Sequence, residues 1–254
     1  MEELIPTNPD IISIKRLFSQ FNALEERIIS FKIMHEIPIQ KSFLKNFRQI
    51  EQIALKLIEN DAPKFNLFNI LGISHLEAKV HTPFLTELLN PDGSHRQGRL
   101  FFDAFMKHLF NDAFIPENIN NIKVVKEMTD YGNGRMDIAI IYRENNINKE
   151  IIIENKIYHH DEKEQLTKYH KYLTETKRLK AGQYHLIYLT PYKTIPTGES
   201  ISPELYQYLQ SIDAISEWGY YEDISPLLES VLPSIKAPVV TQTVYQYIES
   251  IEYL

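Results

Sequence analysis

The sequence predicts an α/β fold in which helices flank a mixed β-sheet, and two features of the middle of the chain carry that prediction. Three short segments rich in isoleucine and valine, "IKVVKEM", "RMDIAIIY" and "EIIIENKIY", are separated by "TDYGNG" and "RENNINK", which are rich in turn residues. A polar helical pattern follows, and then the apolar segment "YHLIYLTP". Because a strand that follows a crossover helix usually lies parallel to its neighbour, hairpins followed by a crossover predict a mixed sheet.

Helical periodicity dominates the first part of the chain. Apolar residues spaced by three and four predict amphipathic helices over residues 10–34 and 40–60, which we expect to pack as a pair. In "SHLEAKVHTPFLTELLNPDG", Thr82 and Pro83 fit the N-cap and the first turn of another helix. The segment "LFFDAFMKHLF" predicts a further short helix.

The strands and the crossover helix can be placed on the sequence. The predicted strands cover residues 122–128, 135–142, 150–158 and 184–191. Between the last two, residues 161–180 form a polar helical pattern with Leu166, Tyr169 and Leu173 on one stripe. More helices are expected after residue 191.

Composition excludes several classes of protein and site. The chain has 254 residues and no cysteine, which excludes disulfides, thiolate zinc sites, iron–sulfur clusters and cysteine nucleophiles. No apolar run approaches the roughly 18 residues of a membrane span, and the amino terminus lacks the pattern of a signal peptide, so we expect a cytoplasmic protein with no membrane partner. The net charge of −7 argues mildly against nucleic-acid binding, but residues 123–180 carry 12 basic and 10 acidic side chains and are net positive.

The segment "IIIENKIY" places a glutamate and a lysine inside an apolar strand. Charged side chains almost never enter such a strand unless they are paired or bind a metal. Glu154 and Lys156 point to the same face because side chains alternate along a strand. Asp137, on the preceding strand, lies opposite residue 154 or 155, and the sequence leaves the register open. We expect the register that clusters the three charges, since burying each one separately would need several kcal/mol of compensation.

Two carboxylates beside a lysine suit phosphodiester hydrolysis. A hard divalent cation such as Mg²⁺ or Mn²⁺ prefers oxygen ligands and lowers the pKa of a bound water. A lysine one pleat away can orient that water and bind the phosphate. The alternative is a structural ion pair on the solvent face of the sheet, which is the usual explanation for an isolated Glu-x-Lys.

The same residues resemble a known family. Asp137 followed by "E154-N-K156" on successive strands resembles the PD-(D/E)XK nuclease superfamily, although Met136 stands where the motif's name has proline. Gln165 and Tyr169 resemble the Gln-x-x-x-Tyr element of its RecB-type and phage-exonuclease branches. "GRMDI", "IENK" and the upstream Glu-x-x-x-His further resemble a bacterial subfamily.

The resemblance implies a fold and a set of site residues. It implies a restriction-endonuclease-like core of helix, three-stranded meander, helix and strand over residues 75–191. This core would lie in a single domain of residues 1–254, with helical extensions over 1–70 and 192–254. The implied metal ligands are Glu77, Asp137, Glu154 and the backbone carbonyl of Asn155. Lys156 would position the attacking water, and Gln165 with Tyr169 would orient Lys156 or the scissile strand.

The implied function is metal-dependent cleavage of nucleic acid, with DNA as the expected partner. A catalytically inactive member that binds nucleic acid or protein is the alternative, favoured by the acidic, tyrosine-rich carboxyl end. A homodimer and an unknown protein partner both stay open. Glu127 competes as an acidic ligand, and His75, His81 and His95 are expected in packing, supporting or surface roles rather than as metal ligands. Basic residues that either follow a phosphate backbone or form a solvated face are Lys163, Lys168, Lys171, Lys177, Arg178 and Lys180.

Overall fold

A computed structural model describes residues 9–62, 65–111, 114, 116–130, 134–158 and 160–254 of the chain. The chain divides into two compact units, residues 1–65 and residues 66–254, and the organisation of residues 1–254 as one domain with two helical extensions stays a prediction. The boundary lies close to the predicted end of the amino-terminal extension at residue 70. Among the described residues, no helix combines the length and apolar character that crossing a bilayer requires.

The amino-terminal unit is helical from Pro9 to Asp61. Helix α1 (Pro9–Phe31) continues through a π-helical turn (Lys32–Glu36) into α2 (Ile37–Asp61). The backbone stays helical on both sides of that turn, with φ −61° at Phe31 and −63° at Ile37. The predicted packing of two helices against each other is therefore wrong, because no reversal separates them. Pro38 lacks a backbone N–H, and a π-helical turn just before it is a usual way for a helix to accommodate proline.

The second unit contains a five-stranded sheet surrounded by helices. Its helices are α3 (Leu67–Ile70), α4 (Thr82–Leu89), α5 (Leu100–Phe110), α6 (Gln165–Lys171), α7 (Pro203–Ser211), α8 (Ser225–Val231) and α9 (Pro238–Ile251). Its strands are β1 (Ile119–Asp130), β2 (Gly134–Glu144), β3 (Ile147–Asn155), β4 (Tyr184–Thr190) and β5 (Ile215–Gly219). The strand order is β1-β2-β3-β4-β5.

The sheet is mixed, as the sequence predicts. Strands β1, β2 and β3 form an antiparallel meander, and β3, β4 and β5 run parallel. The four predicted strands are all present, with ends shifted by a few residues. Strand β5 was not predicted and lies within residues 192–254, which were expected to be a helical extension. Its sequence "ISEWG" is short and carries two polar residues, so it lacks the apolar run that marks the other strands.

The sheet separates two apolar clusters. Ile151 and Ile153 of β3 face a cluster formed with α4, α5, α8 and α9. Ile152 faces the opposite cluster, which α6 and α7 cover. The predicted stripe Leu166, Tyr169 and Leu173 packs in this second cluster, although the first part of the polar pattern, residues 161–164, is not helical. The face covered by α6 is the one toward which Glu154 points.

Candidate active site

The register of β2 and β3 brings Asp137 and Glu154 together. Ile138 pairs with Ile153, and continuing this antiparallel register places Asp137 opposite Glu154. Directly opposite residues in an antiparallel pair share a face of the sheet. The expectation that the register clusters the charges is confirmed. The Oδ2 atom of Asp137 also accepts a hydrogen bond of 2.9 Å from the backbone N–H of Asn155.

Glu154 is a buried carboxylate that three side chains contact. It is 1% exposed. Its Oε1 atom lies 2.8 Å from Nζ of Lys156 and accepts a 2.7 Å hydrogen bond from Nε2 of Gln165. Its Oε2 atom lies 2.8 Å from the hydroxyl of Tyr169. These contacts fix both carboxylate oxygens in position.

Helix α6 supplies two of these contacts. Gln165 and Tyr169 are four residues apart, so both lie on the face of α6 that packs on the sheet. Nε2 of Gln165 is 3.1 Å from the Tyr169 hydroxyl, which also lies 2.7 Å from the carbonyl oxygen of Arg135. We expected this pair to orient Lys156 or the scissile strand. Its hydrogen bonds reach the carboxylate of Glu154, which in turn contacts Lys156, and an orienting role of the pair on Lys156 or the scissile strand stays a prediction.

Glu77 enters the site from the start of the α4 helix. A π-helical turn (Glu77–His81) runs directly into α4, so the helix begins before Thr82, and the prediction of Thr82 as N-cap is wrong. The Thr82 hydroxyl instead accepts a 3.1 Å hydrogen bond from Nδ2 of Asn155. Oε2 of Glu77, itself buried, accepts a 2.6 Å hydrogen bond from the backbone N–H of Ile157. This contact places Glu77 beside the end of β3 that carries Lys156.

Asp137 and Glu154 hold protons more tightly than free carboxylates do. Burial and the charge of Glu77 raise the pKa of Asp137 to about 6, although the N–H of Asn155 opposes the shift. Burial and the charge of Asp137 raise the pKa of Glu154 to about 8. Desolvation acts to lower the pKa of Lys156, but Glu154, Glu77 and Asp137 outweigh it, and the pKa is raised. Lys156 is therefore an ammonium group.

The electrostatics of the site would favour a divalent cation. Burial and neighbouring carboxylates raise the pKa values of Asp137 and Glu154, and a nearby divalent cation would favour the ionised forms of both. In the described part of the chain, no three His, Asp or Glu side chains lie close enough together to hold a metal as they stand. Glu154 is paired with Lys156 in this arrangement. The donor set fits a hard cation by its oxygen chemistry and its charge.

Comparison with known families decides the classification. A family model described as the PD-(D/E)XK nuclease superfamily matches residues 65–249, well over half of the chain. The chain belongs to the PD-(D/E)XK nuclease superfamily. No curated protein and no solved structure matches it. Members of this superfamily are generally phosphodiesterase nucleases, so the chain has a nuclease-like function.

This PD-(D/E)XK protein supports its site with a hydrogen-bond network on the opposite face of the sheet, which the sequence did not reveal. Oδ1 of Asn155 accepts a 3.0 Å hydrogen bond from the Tyr220 hydroxyl. Nδ1 of His81 lies 2.8 Å from the Tyr247 hydroxyl, and Nε2 of His81 lies 2.6 Å from the carbonyl oxygen of Ser74. The tyrosine-rich segment "VYQYIESIEYL" contains Tyr247, which is fully buried. Its tyrosine content was the one available signal.

The remaining predicted residues lie at separate places. Glu127 lies 3.8 Å from Nη1 of Arg135 in an ion pair at the surface. His75 is exposed, while His95 is buried and contacts the carbonyl oxygen of Asn90 at 3.0 Å. The backbone carbonyl of Asn155 lies just beyond the last pair of β2 and β3. Five of the basic residues are exposed and Lys168 is half-buried: Lys163, Lys168, Lys171, Lys177, Arg178 and Lys180.

Proposed function

We propose that this protein hydrolyses phosphodiester bonds in DNA with Mg²⁺ or Mn²⁺ as cofactor. The observation that supports the proposal best is the buried carboxylate of Glu154, held by Gln165 and Tyr169 and set beside the ammonium group of Lys156. Removing water from two charges is unfavourable unless their attraction and further hydrogen bonds offset it, as the contacts of Gln165 and Tyr169 with Glu154 do. A nuclease site needs this pairing of acceptor oxygens with a cation, and the family relationship points to the same chemistry.

The carboxylates would hold the metal. Asp137 and Glu154 face each other across two strands, Glu77 approaches from the start of the α4 helix, and the carbonyl of Asn155 lies beyond the strand pairs. The chemistry that bound Mg²⁺ or Mn²⁺ supplies is a lower pKa for the attacking water and compensation of charge on the phosphoryl oxygens. Such an ion would favour the ionised forms of Asp137 and Glu154, whose pKa values burial and neighbouring carboxylates raise.

Lys156 would act on the phosphate and on the water. Its ammonium group donates hydrogen bonds only, so it can bind a phosphoryl oxygen and stabilise the charge that develops on the pentacovalent phosphorus. The neighbouring carboxylates keep it protonated, as its raised pKa indicates. The same group would orient the attacking water. Gln165 and Tyr169 act through Glu154 and are positioning residues.

A catalytically inactive binding module is the second candidate. Lys156 already occupies Oε1 of Glu154, and the carboxylates are not gathered into a metal-binding group in the part of the chain that the structure describes. The residues beyond 181 are also strongly acidic, with two basic and nine acidic side chains, which does not help a protein hold DNA. These features favour a scaffold whose buried ion pair serves stability alone.

A cleavage assay separates the two candidates. Purified protein is incubated with linear, circular and single-stranded DNA and Mn²⁺ or Mg²⁺, beside Lys156→Ala and the control Lys107→Ala, which removes an exposed lysine on α5. We expect metal-dependent cutting by the wild type and the control. Lys156→Ala should lose on the order of 10²- to 10³-fold in rate or more, because it removes a group that stabilises the transition state.

The outcome also refines the function. A preference for linear over circular substrate would indicate an exonuclease, and the reverse would indicate an endonuclease. Wild-type turnover by Lys156→Ala would contradict the role assigned to that residue. No cutting of any substrate and no metal binding would favour the inactive module. The cytoplasm stays the predicted compartment.

A further inference from the structure

Three tyrosines stand at the edge of the sheet where β3 leads to Lys156. Tyr158 follows β3, Tyr192 follows β4 and Tyr221 follows β5. Tyr158 is 57% exposed and Tyr192 is 61% exposed, while Tyr221 is half-buried. We call these three residues the tyrosine rim. Because the hydroxyl group is the only polar part of each side chain, this exposure leaves apolar ring surface in water.

The sheet places the tyrosine rim next to the candidate active site. Strands β3, β4 and β5 are parallel, and the backbone N–H of Lys156 donates a 2.8 Å hydrogen bond to the carbonyl oxygen of Leu189 in β4. The N–H of Tyr221 approaches the carbonyl oxygen of Pro191 at 3.4 Å. The Cα atom of Tyr158 lies within about 7 Å of that of Lys156, since two residues span no more. Neighbouring strands are about 4.8 Å apart. The three tyrosines follow adjacent strands, so their backbones lie at the same edge of the sheet as Lys156.

The rings of the tyrosine rim are already ordered. The rings of Tyr192 and Tyr221 stack with their centroids 5.0 Å apart and their planes 7° from parallel. The Tyr158 hydroxyl donates a 3.1 Å hydrogen bond to the carbonyl oxygen of Leu254. Burial and the hydroxyls of Tyr192 and Tyr158 raise the pKa of Tyr221 to about 12, so its phenol stays neutral. A second flat ring added to the exposed side of Tyr192 would extend an existing stack.

We propose that the tyrosine rim stacks on unpaired bases of a nucleic-acid strand whose phosphodiester lies at Lys156. The inference rests on the proposed function and names its substrate class as single-stranded nucleic acid, including unpaired ends of a duplex. Every base has a flat π surface, so aromatic side chains bind single strands without regard to sequence. In a duplex these surfaces are covered by neighbouring bases, and only base edges are accessible. Stacked tyrosines beside a phosphate-binding lysine therefore match an unpaired strand better than a double helix.

The first test measures the binding of a fluorescent single-stranded DNA 20-mer and of the matching blunt duplex by anisotropy. The buffer contains EDTA so that no cutting occurs, and the full-length wild type is compared with Tyr192→Ala and Tyr192→Phe. Stacking on one base corresponds to roughly 5- to 150-fold in affinity. We expect Tyr192→Ala to lose an amount in that range on the single strand and less than about twofold on the duplex. Tyr192→Phe, which keeps the ring, should stay within about twofold of the wild type.

A second 20-mer in which every position is abasic isolates the stacking itself. Wild type and Tyr192→Ala should bind the abasic strand equally, because the bases that the ring would contact are absent. An RNA 20-mer of the same sequence tests the sugar: an equal loss on RNA supports stacking and shows that the sugar is not read. Tyr158→Ala provides an independent variant at the other side of the rim. Unchanged circular dichroism and melting temperature verify that each exposed-residue variant is folded.

The results distinguish this inference from the proposed function. If the wild type cuts DNA but Tyr192→Ala and Tyr158→Ala both bind single strands as the wild type does, stacking is wrong and the nuclease stands. If the wild type cuts nothing but the alanine variants lose affinity for single strands alone, stacking stands and the nuclease proposal fails. Equal losses on single strand and duplex would also overturn the inference, because they would show a general contact rather than base stacking.

Discussion

The phenylalanines of the two units have opposite environments. Phe101, Phe102 and Phe105 on α5 are fully buried under the sheet, whereas Phe18 and Phe21 on α1 are about two-thirds exposed. All of these side chains lie on helices with apolar residues spaced by three and four. Periodicity therefore creates an apolar face in both units, but only contact with another element turns that face into a core. The sheet unit also buries charged side chains of its candidate site. In the first unit, every side chain of residues 16–56 is exposed.

This difference in burial predicts that a phenylalanine-to-alanine substitution lowers the free energy of unfolding by different amounts in the two units. Phe102→Ala removes a ring with 0% exposure, so we expect a loss of about 3–5 kcal/mol in the free energy of unfolding. Phe21→Ala removes a ring that is 66% exposed, and the unfolding free energy of the sheet unit should change by less than about 0.5 kcal/mol. Urea unfolding followed by the fluorescence of Trp218, which lies in the sheet unit, measures both. A large loss from Phe21→Ala would show that the first unit is packed on other protein surface in the monomer.

The buried histidine of the sheet unit predicts an acid-sensitive stability. Burial lowers the pKa of His81 from 6.5 to about 4, although the carbonyl oxygen of Ser74 opposes the shift. The folded state therefore keeps His81 neutral where the unfolded chain takes up a proton. The stability that depends on neutral His81 is present above pH 6.5 and is lost as the pH falls toward 4, by about 3 kcal/mol in total.

The histidine prediction is tested by the difference between two proteins. Between pH 7 and pH 4 the wild type should lose about 3 kcal/mol more unfolding free energy than His81→Gln, which cannot take up this proton. His75→Gln, at an exposed position, serves as the control and should follow the wild type. Parallel curves for wild type and His81→Gln would show that His81 does not stay neutral in the folded protein.

Metal binding should stabilise the sheet unit. At a concentration of 100 times the Kd, Mg²⁺ or Mn²⁺ is expected to add about 2.7 kcal/mol to the free energy of unfolding, measured as a rise in melting temperature. Glu154→Gln should abolish most of this rise because it removes a proposed ligand charge. Glu229→Gln, a change at an exposed glutamate on α8, should leave it intact. An equal rise in Glu154→Gln would remove Glu154 from the proposed metal ligands.

The smallest effect on the sheet unit is expected from removal of the first unit. Deletion of residues 1–65 leaves residues 66–254, which form a compact unit of their own. This unit contains almost all of the residues that match the family model. We expect its unfolding free energy to stay close to that of the full-length chain, because residues 66–254 have an apolar core and a sheet of their own. A melting temperature lowered by many degrees would show that the two units are coupled.

The same deletion should change association in solution. The exposed residues Leu17, Phe21, Leu24, Ile28 and Phe31 are spaced by four and three, which is the spacing of a coiled-coil seam. Continuous exposed apolar faces of this length are rare on monomers and mark interaction sites. In sedimentation velocity, we expect the full-length chain to associate more strongly as its concentration rises and residues 66–254 to stay monomeric. A monomeric full-length chain at all concentrations would contradict this expectation.

Local patterns in the sequence were sufficient for much of the sheet unit. Short segments rich in isoleucine and valine predicted β1, β2 and β3, and an apolar segment ended by proline predicted β4. The helical spacing of Leu166, Tyr169 and Leu173 predicted the buried stripe that begins on α6. The grouping of Asp137 with Glu154 and Lys156 also followed from sequence, because a charge inside an apolar strand is unfavourable unless another charge lies beside it. Each of these predictions depended on residues close together in the chain or on one hairpin.

Only the tertiary structure decided the rest. Strand β5 and the contact of Tyr247 with His81 join residues far apart in the chain, and no local period records such pairings. The sequence suggested that Gln165 and Tyr169 orient Lys156 or the substrate, and only the packing of α6 on the sheet showed that they contact Glu154. The sequence by itself determined strands β1 to β4 and helices such as α5, because side-chain spacing is a local property. The three-dimensional arrangement decided which apolar faces are buried, because burial depends on what another part of the fold places opposite them.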